Sequence, residues 1–286
     1  MKKIIIIVSV LMISVWVAGQ TAESPCRDIS EVYEQYAPDL EKVRDMKQEI
    51  QGIHPLLNHL YPVALAEDNC FYVFDTVSSP VMYEPVLIHL SENDLPDKLR
   101  ASFPLEFYKN RPAGVITPDA FDNTEGFVSL FHEFVHCFQA ENYEQELKTE
   151  LQVAREAMEK GDFMWELEHP FPYEKHEFAE LYSQWLQPDL DMEERWEIRS
   201  RLKEALDSKD YEYMIWQEWK EGFARYIENE IRNQVGLPEN RGGKEQPFSR
   251  VSFYAGGEIY VRFLLEQDPS VETDLAALFQ RMFSLE

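Results

Sequence analysis

Basic residues are scarce: 27 Lys and Arg stand against 53 Asp and Glu in 286 residues, for a formal net charge of -26 and a pI near 4.6. Such an excess repels nucleic-acid phosphates and anionic membrane surfaces, and it excludes a nucleic-acid binder. Glycine is sparse too, at 11, beside 16 prolines and 13% aromatics. That composition excludes collagen-like and low-complexity architectures and is foreign to global disorder. Three cysteines are too few for a disulfide-built scaffold. After residue 19 no apolar run is long enough to cross a bilayer. What is present is a chain 44% hydrophobic, long enough to bury a full core as one large domain or two small ones.

The first nineteen residues stand apart. Lys2 and Lys3 precede an apolar run from Ile4 to Ala18, with Val17 and Gly19 at small-residue spacing before Gln20. This is the pattern of a secretory signal peptide, shorter than a spanning helix and interrupted by Ser9 and Ser14. Cys26 lacks the preceding residues of a lipoprotein signal. The expectation is a cleaved segment 1–19 and a secreted or periplasmic, soluble chain without stable membrane insertion. In such a compartment Cys26 and Cys70 are candidates for a bridge, and Cys137 reads as a buried small hydrophobe.

Leu40, Val43, Met46, Ile50 and Ile53 recur at helical spacing and predict an amphipathic helix from about 39 to 52. The period then changes. Cys70 to Thr76 and Val81 to Leu90 are rich in β-branched and aromatic residues and predict paired strands, with Pro85 marking an edge or a bulge. Ala113 to Thr117 is a shorter candidate strand. From 122 onward the pattern is helical, with breaks at Gly161-Asp162, His169 to Pro172, Gln187 to Asp189 and Gly236 to Gly243. Asp191 and Glu194 form a capping box that opens a further helix. The expected fold class is α+β, predominantly helical. Residues 20–286 form a single domain, a sheet-containing lobe over about 20–121 followed by a helical lobe over about 122–286.

Between these lobes lies Gly126 to Gln139, GFVSLFHEFVHCFQ, a mostly apolar helix with Asp122 to Glu125 as cap candidates. It carries His132, Glu133 and His136. Two histidines four apart share one helix face and reach one metal ion, while the intervening glutamate stands beside it as a base. With 7 His and 37 Glu in the chain, His-Glu-x-x-His arises by chance in roughly 2% of such sequences. The alternative, a histidine pair bonded within the core, would bury a carboxylate without a partner at a cost of several kcal/mol.

The motif, here HEFVH, resembles that of the zincin metallopeptidases, and the resemblance implies a zincin-like fold, a Zn²⁺ site and a third protein ligand downstream. Metzincins would carry a glycine and a histidine where this chain has Gln139 and Asn142, so a glutamate is sought. Two compete. Glu156 has the spacing of thermolysin-like enzymes but lies in the polar run VAREAMEK. Glu221 lies in WQEWKEGFARYIE, similar to the glutamate-ligand helix of gluzincins, with Ile215, Trp219, Gly222 and Tyr226 forming a stripe and Gly222 and Ala224 admitting a close neighbour. The resemblance therefore assigns His132, His136 and Glu221 to the metal. Two departures stand against it: the interval from His136 is longer than usual, and Arg225 sits where thermolysin-like enzymes have an acid, a role Glu228 takes on another turn. An unliganded Glu221 would instead pair with Arg225 on a solvated face.

Catalysis also needs a donor for the developing oxyanion. The segment Ser252 to Leu265, SFYAGGEIYVRFLL, supplies Tyr254 as first candidate, with Tyr260, Arg262 and His176 behind it. Gly256-Gly257 lets the backbone pass close to a neighbour. The charged stretch 141–210 reads as a solvated cap over the cleft rim, His176 as a surface residue, and His54, His59, His89 and His169 have no partner at ligand spacing. The expected function is hydrolysis of a peptide or protein substrate by zinc-activated water, with Glu133 as base and Ala113 to Thr117 as the edge strand that pairs with the peptide. A non-catalytic binding module on the same scaffold is the alternative, distinguished by whether Glu133 has a task.

Overall fold

In a computed structural model, which describes residues 25–78, 80 and 82–285, eleven α-helices and a five-stranded sheet pack into an α+β fold dominated by helix. Segment 1–19, expected to be a signal peptide, lies outside the described residues. Among the described residues no helix is long and apolar enough to cross a membrane.

Helix α1 (Ile29–Ile50) begins ten residues before the predicted start, because the Asp28 side chain caps it by accepting from Ser30 N. Pro38 sits inside it, where it removes one backbone donor, yet burial of Val32 and Tyr36 carries the helix through. The strands are β1 (Val63–Glu67), β2 (Cys70–Asp75), β3 (Glu84–Leu90), β4 (Arg100–Leu105) and β5 (Arg111–Ile116), in the order β3-β2-β1-β5-β4. β1 and β5 are parallel and the other pairs antiparallel. β2 and β3 pair as expected, with β3 at the sheet edge and a register shift between Val73 and Phe74 opposite Pro85. β3 starts at Glu84 rather than at position 81, which lies outside the described residues.

Two strands escaped the sequence reading. β1 is buried almost throughout and so lacks the two-residue alternation of a half-exposed strand, and β4 is a partly exposed edge interrupted by Pro104. Their presence corrects the expectation for 113–117: β5 is an interior strand between β1 and β4, so it has no free edge for a peptide.

Val63, Leu65, Tyr72, Phe74 and Ile116 turn one sheet face to the helices, whereas Ala64, Phe71, Val73, Ala113 and Val115 line a second, smaller core on the opposite face. Cys26 and Cys70 are joined by a disulfide that ties the start of the described chain to β2, and Cys137 is free and buried.

Helix α2 (Thr124–Gln139) lies under β5 and β4 and is capped by Asn123, whose side chain accepts from Gly126 N at 3.0 Å. Gly126 is required there, since a Cβ would meet Ala120 O at 2.0 Å. The stretch after α2 is not a solvated cap. Its helices α3 (Gln145–Glu150), α4 (Gln152–Lys160), α5 (Trp165–Glu168), α6 (His176–Trp185) and α7 (Met192–Ala205) bury Leu147, Trp165, Phe178, Tyr182, Trp185 and Leu202 in the main core. The high charge count hid amphipathic helices whose apolar faces are aromatic. The predicted breaks hold: Gly161 ends α4 at φ 69°, the two Pro-containing breaks flank α6, and the Asp191–Glu194 capping box opens α7.

Helix α8 (Ser208–Gln217) runs through a single π-turn, Glu218–Gly222, into α9 (Phe223–Gln234), and α10 (Ser252–Gln267) crosses at the turn. The crossing depends on two glycines: a Cβ on Gly222 would lie 2.4 Å from Gly257 Cα, and one on Gly257 would lie 2.3 Å from Glu218 O. Helix α11 (Leu275–Ser284) closes the chain, and Trp219 Nε1 donates to Leu275 O.

Candidate metal centre

The 3.6-residue period of α2 puts His132 and His136 one turn apart, and the rest of the helix is apolar enough to bury both. Their Nε2 atoms face each other at 3.2 Å. From the opposite wall the π-turn delivers Glu221, with Oε2 at 3.1 Å from His136 Nε2 and 3.8 Å from His132 Nε2. These three ligand atoms lie within 4.8 Å of one another and all three residues are buried. The π-turn is held on other sides by its own charges. Glu218 accepts from both terminal nitrogens of the buried Arg199 and from the Tyr182 hydroxyl, and Lys220 pairs with Glu144 at 3.0 Å and Glu166 at 2.8 Å.

The outer hydrogen bonds decide which nitrogens carry protons. Gln139 donates its amide to the carbonyls of Trp219 and Lys220, so its Oε1 is left to accept from His136 Nδ1 at 2.9 Å. Glu228 Oε2 accepts from His132 Nδ1 at 3.1 Å, and Glu228 Oε1 accepts from Asn240 Nδ2. With both Nδ1 atoms acting as donors, a neutral imidazole has only a lone pair at Nε2. Two lone pairs and a carboxylate oxygen then converge with no hydrogen among them. Only a cation satisfies that set, a proton or a metal ion.

The electrostatics say the same. Burial alone would lower the basicity of His132, yet the carboxylates of Glu221, Glu228 and Glu133 raise its pKa to about 10. Burial would raise the carboxyl groups of Glu221 and Glu228, yet the two imidazoles hold Glu221 well below the usual range, and His132, with Asn240 and Arg225, holds Glu228 at about 2. His132, Glu221 and Glu228 are thus each shifted in the direction that favours a positive charge between them. The buried triad can therefore hold a metal ion, and two imidazoles with one carboxylate fit the donor preferences of zinc.

Each predicted residue has a definite place. His132, His136 and Glu221 come together, and Glu228 takes the histidine-holding role on its own turn. Glu156 is not part of the cluster. It sits on α4, accepts from Gln152 and pairs with Lys209. Arg225 does not pair with Glu221; it turns to Glu228, with Nε 3.2 Å from Oε2, and donates to the carbonyls of Asn240 and Gly242. Glu133 is buried beside His132 and, among the described residues, makes no hydrogen bond. Tyr254 lies parallel to His132 with ring centroids 6.2 Å apart, and its hydroxyl interacts with Glu221; burial and that carboxylate push the phenol far up.

The other donor candidates lie elsewhere. Tyr260 is wholly buried and donates to Met282 O, Arg262 pairs with Glu258 and Glu230, and His176 is on the surface beside Glu180. The unassigned His54 and His169 are accounted for by a bond to Glu272 O and by Asp210. Three site residues escaped the sequence reading. Gln139 was legible as the one polar residue a turn beyond His136 on the same face. Asn240 and Arg250, whose Nη1 donates to Glu221 Oε1 at 2.9 Å, come from a loop with no period to betray them.

Compared with models of protein families, with curated proteins and with solved structures, the chain matches none.

Proposed function

We propose that the chain is an exported metal-dependent hydrolase, a metallopeptidase of gluzincin type, with zinc held by His132, His136 and Glu221. The observation that carries this reading is the convergence of two imidazole lone pairs and a carboxylate oxygen in a buried site, with both outer nitrogens committed to Glu228 and Gln139. Zinc in such a site supplies a water acidified toward about pH 7 and a Lewis acid for a carbonyl oxygen.

The protein's own groups supply the rest. Glu133 is rotated about 100° from His132 along the helix, which sets it beside the ligands rather than among them. Its carboxylate is uncommitted to any hydrogen bond among the described residues, so it is free to take a proton from water and return it to a leaving amine. Tyr254 keeps its proton at any physiological pH and serves as the donor to a developing oxyanion. A non-catalytic binding module would have no use for an uncommitted buried carboxylate, and Glu133 therefore favours catalysis.

For the substrate, the sheet offers two edge strands, β3 and β4, and β4 is the one packed against α2. Thr117 N donates to Leu99 O, so the register turns the backbone groups of Arg100 and Ser102 outward, and Pro104, which has no N–H, stands at the next outward position. An extended peptide pairs there, next to α2. The Cys26–Cys70 disulfide supports an oxidising compartment, in keeping with the signal pattern of residues 1–19.

The test is elemental analysis of chain purified without chelator, followed by hydrolysis of a mixed peptide library. About one zinc per chain and cleavage that chelation abolishes and zinc restores are expected. A chain that neither carries nor takes up zinc would reject the reading.

A further inference from the structure

Glu221 presents its two oxygens to different neighbours. Oε2 faces the imidazoles, 3.1 Å from His136 Nε2 and 3.8 Å from His132 Nε2. Oε1 accepts from Arg250 Nη1 at 2.9 Å. Arg250 lies in the segment between α9 and α10. Its guanidinium is held on two further sides, with Nη1 3.4 Å from Gln217 Oε1 and the group 5.5 Å from the Tyr254 ring centroid.

The nearer cations on the helix do not perform this task. Arg225, one turn on, is spent on Glu228 and two loop carbonyls, and Lys220, the adjacent residue, is spent on Glu144 and Glu166. The cation that Glu221 does receive comes from 29 positions downstream. The same segment also delivers Asn240 to Glu228, so it steadies both carboxylates that face the histidines.

A carboxylate beside a divalent cation binds through one oxygen or through both, and the choice depends on what else competes for the second oxygen. A guanidinium donating to a carboxylate is a charge-assisted hydrogen bond, roughly twice as strong as a neutral one, and it fixes the orientation of its partner. Arg250 is half-buried and Glu221 is buried, so the pair is screened less than a surface pair.

We propose that Arg250 is a positioning residue that keeps Glu221 a one-oxygen ligand, taking Oε1 for itself and leaving Oε2 to the metal. The inference rests on the metal-centre reading above. Two consequences follow. One place on the metal stays open for water or substrate, which a catalytic site needs and a structural one does not. Part of the charge of Glu221 is committed to Arg250, so less of it is donated to the metal, and the ion remains a stronger Lewis acid.

The full chain is loaded with Co²⁺, whose visible absorption weakens as its coordination number rises. Arg250→Met removes the donor at similar length and should lose absorption intensity, because Oε1 becomes free to bind. Arg250→Lys keeps a cationic donor and should retain the wild-type band. A merely structural arginine would alter folding stability without moving the band in the folded fraction. X-ray absorption on the zinc-loaded wild type needs no variant and should show Glu221 bound through one oxygen. An unchanged cobalt band in Arg250→Met at one Co²⁺ per chain, or a two-oxygen carboxylate in the wild type, would overturn the proposal while leaving the metal centre intact. A wild-type chain that binds neither metal would overturn the metal reading itself, and this inference with it.

Discussion

Glu228 Oε2 lies 3.1 Å from Nδ1 of His132, across 96 positions of sequence. That contact makes the inner nitrogen of His132 a lone pair aimed at Glu221 and His136, and it comes from the helix that carries Glu221 itself. Helix α9 and its π-turn thus provide both the third candidate ligand and the group that orients the first. Glu228→Gln should leave the fold intact and weaken zinc binding about 10- to 100-fold, the range typical of groups that hold a ligand histidine. Competition with a chromophoric chelator measures it; undiminished affinity would show that His132 needs no such partner.

Glu221 and Glu156 are separable by the same assay. Glu221→Ala removes a direct ligand and should weaken zinc by more than the roughly 100-fold upper range of outer contacts. Glu156→Ala removes contacts with Gln152, Lys160 and Lys209, none of them in the cluster, and should leave affinity unchanged.

For Glu133 the expected split is between binding and turnover. Glu133→Gln should keep zinc at wild-type stoichiometry and lower kcat about 10²- to 10⁴-fold, because an amide cannot accept the proton of water. Loss of zinc in this variant would make Glu133 a ligand and undo its assignment as base.

The crossing of α9 and α10 tolerates no side chain at Gly222. In Gly222→Ala the added methyl would sit 2.4 Å from Gly257 Cα, so the helices must part, at a cost of about 1–3 kcal/mol. Since Glu221 is the adjacent residue, zinc affinity should fall together with the midpoint of chemical denaturation. A variant as stable as wild type, with unaltered affinity, would contradict the close approach.

Acid should attack the network behind the π-turn. Burial opposes ionisation of Glu166, but Lys220 and Lys148 hold its carboxyl below the usual value. A group whose folded pKa is depressed adds stability above its unfolded pKa, near 4.5, and loses that contribution as pH falls through the folded value. Stability should therefore decline below about pH 4.5 with a slope that Glu166→Gln flattens, at a cost of about 1–3 kcal/mol near neutral pH. Denaturation midpoints across pH 2.5 to 7 for both proteins, roughly spanning that window, would show it.

The local chemistry was legible in the sequence because it depends on short-range periodicity. Five consecutive residues, His132 to His136, set two imidazoles on one face whatever else the chain does. Apolar neighbours around Glu221 and the glycines at 222, 256 and 257 marked a helix meant to be approached closely, and the α10 crossing bears that out. The helices of 141–210 were visible as elements, but their burial was not, since a high average charge conceals an aromatic face until a partner covers it.

Tertiary structure alone decided three things. β4 covers β5, so the sheet edge on that side lies on a strand whose Pro104 and exposed residues gave no strand signal. The π-turn adds one residue to the helical repeat just where Glu221 must face α2, a shift that no 3.6-residue period foretells. The loop donors Asn240 and Arg250 reach Glu228 and Glu221 across 12 and 29 positions through irregular backbone. Periodic positions are fixed by local geometry, whereas these contacts exist only once distant elements have packed.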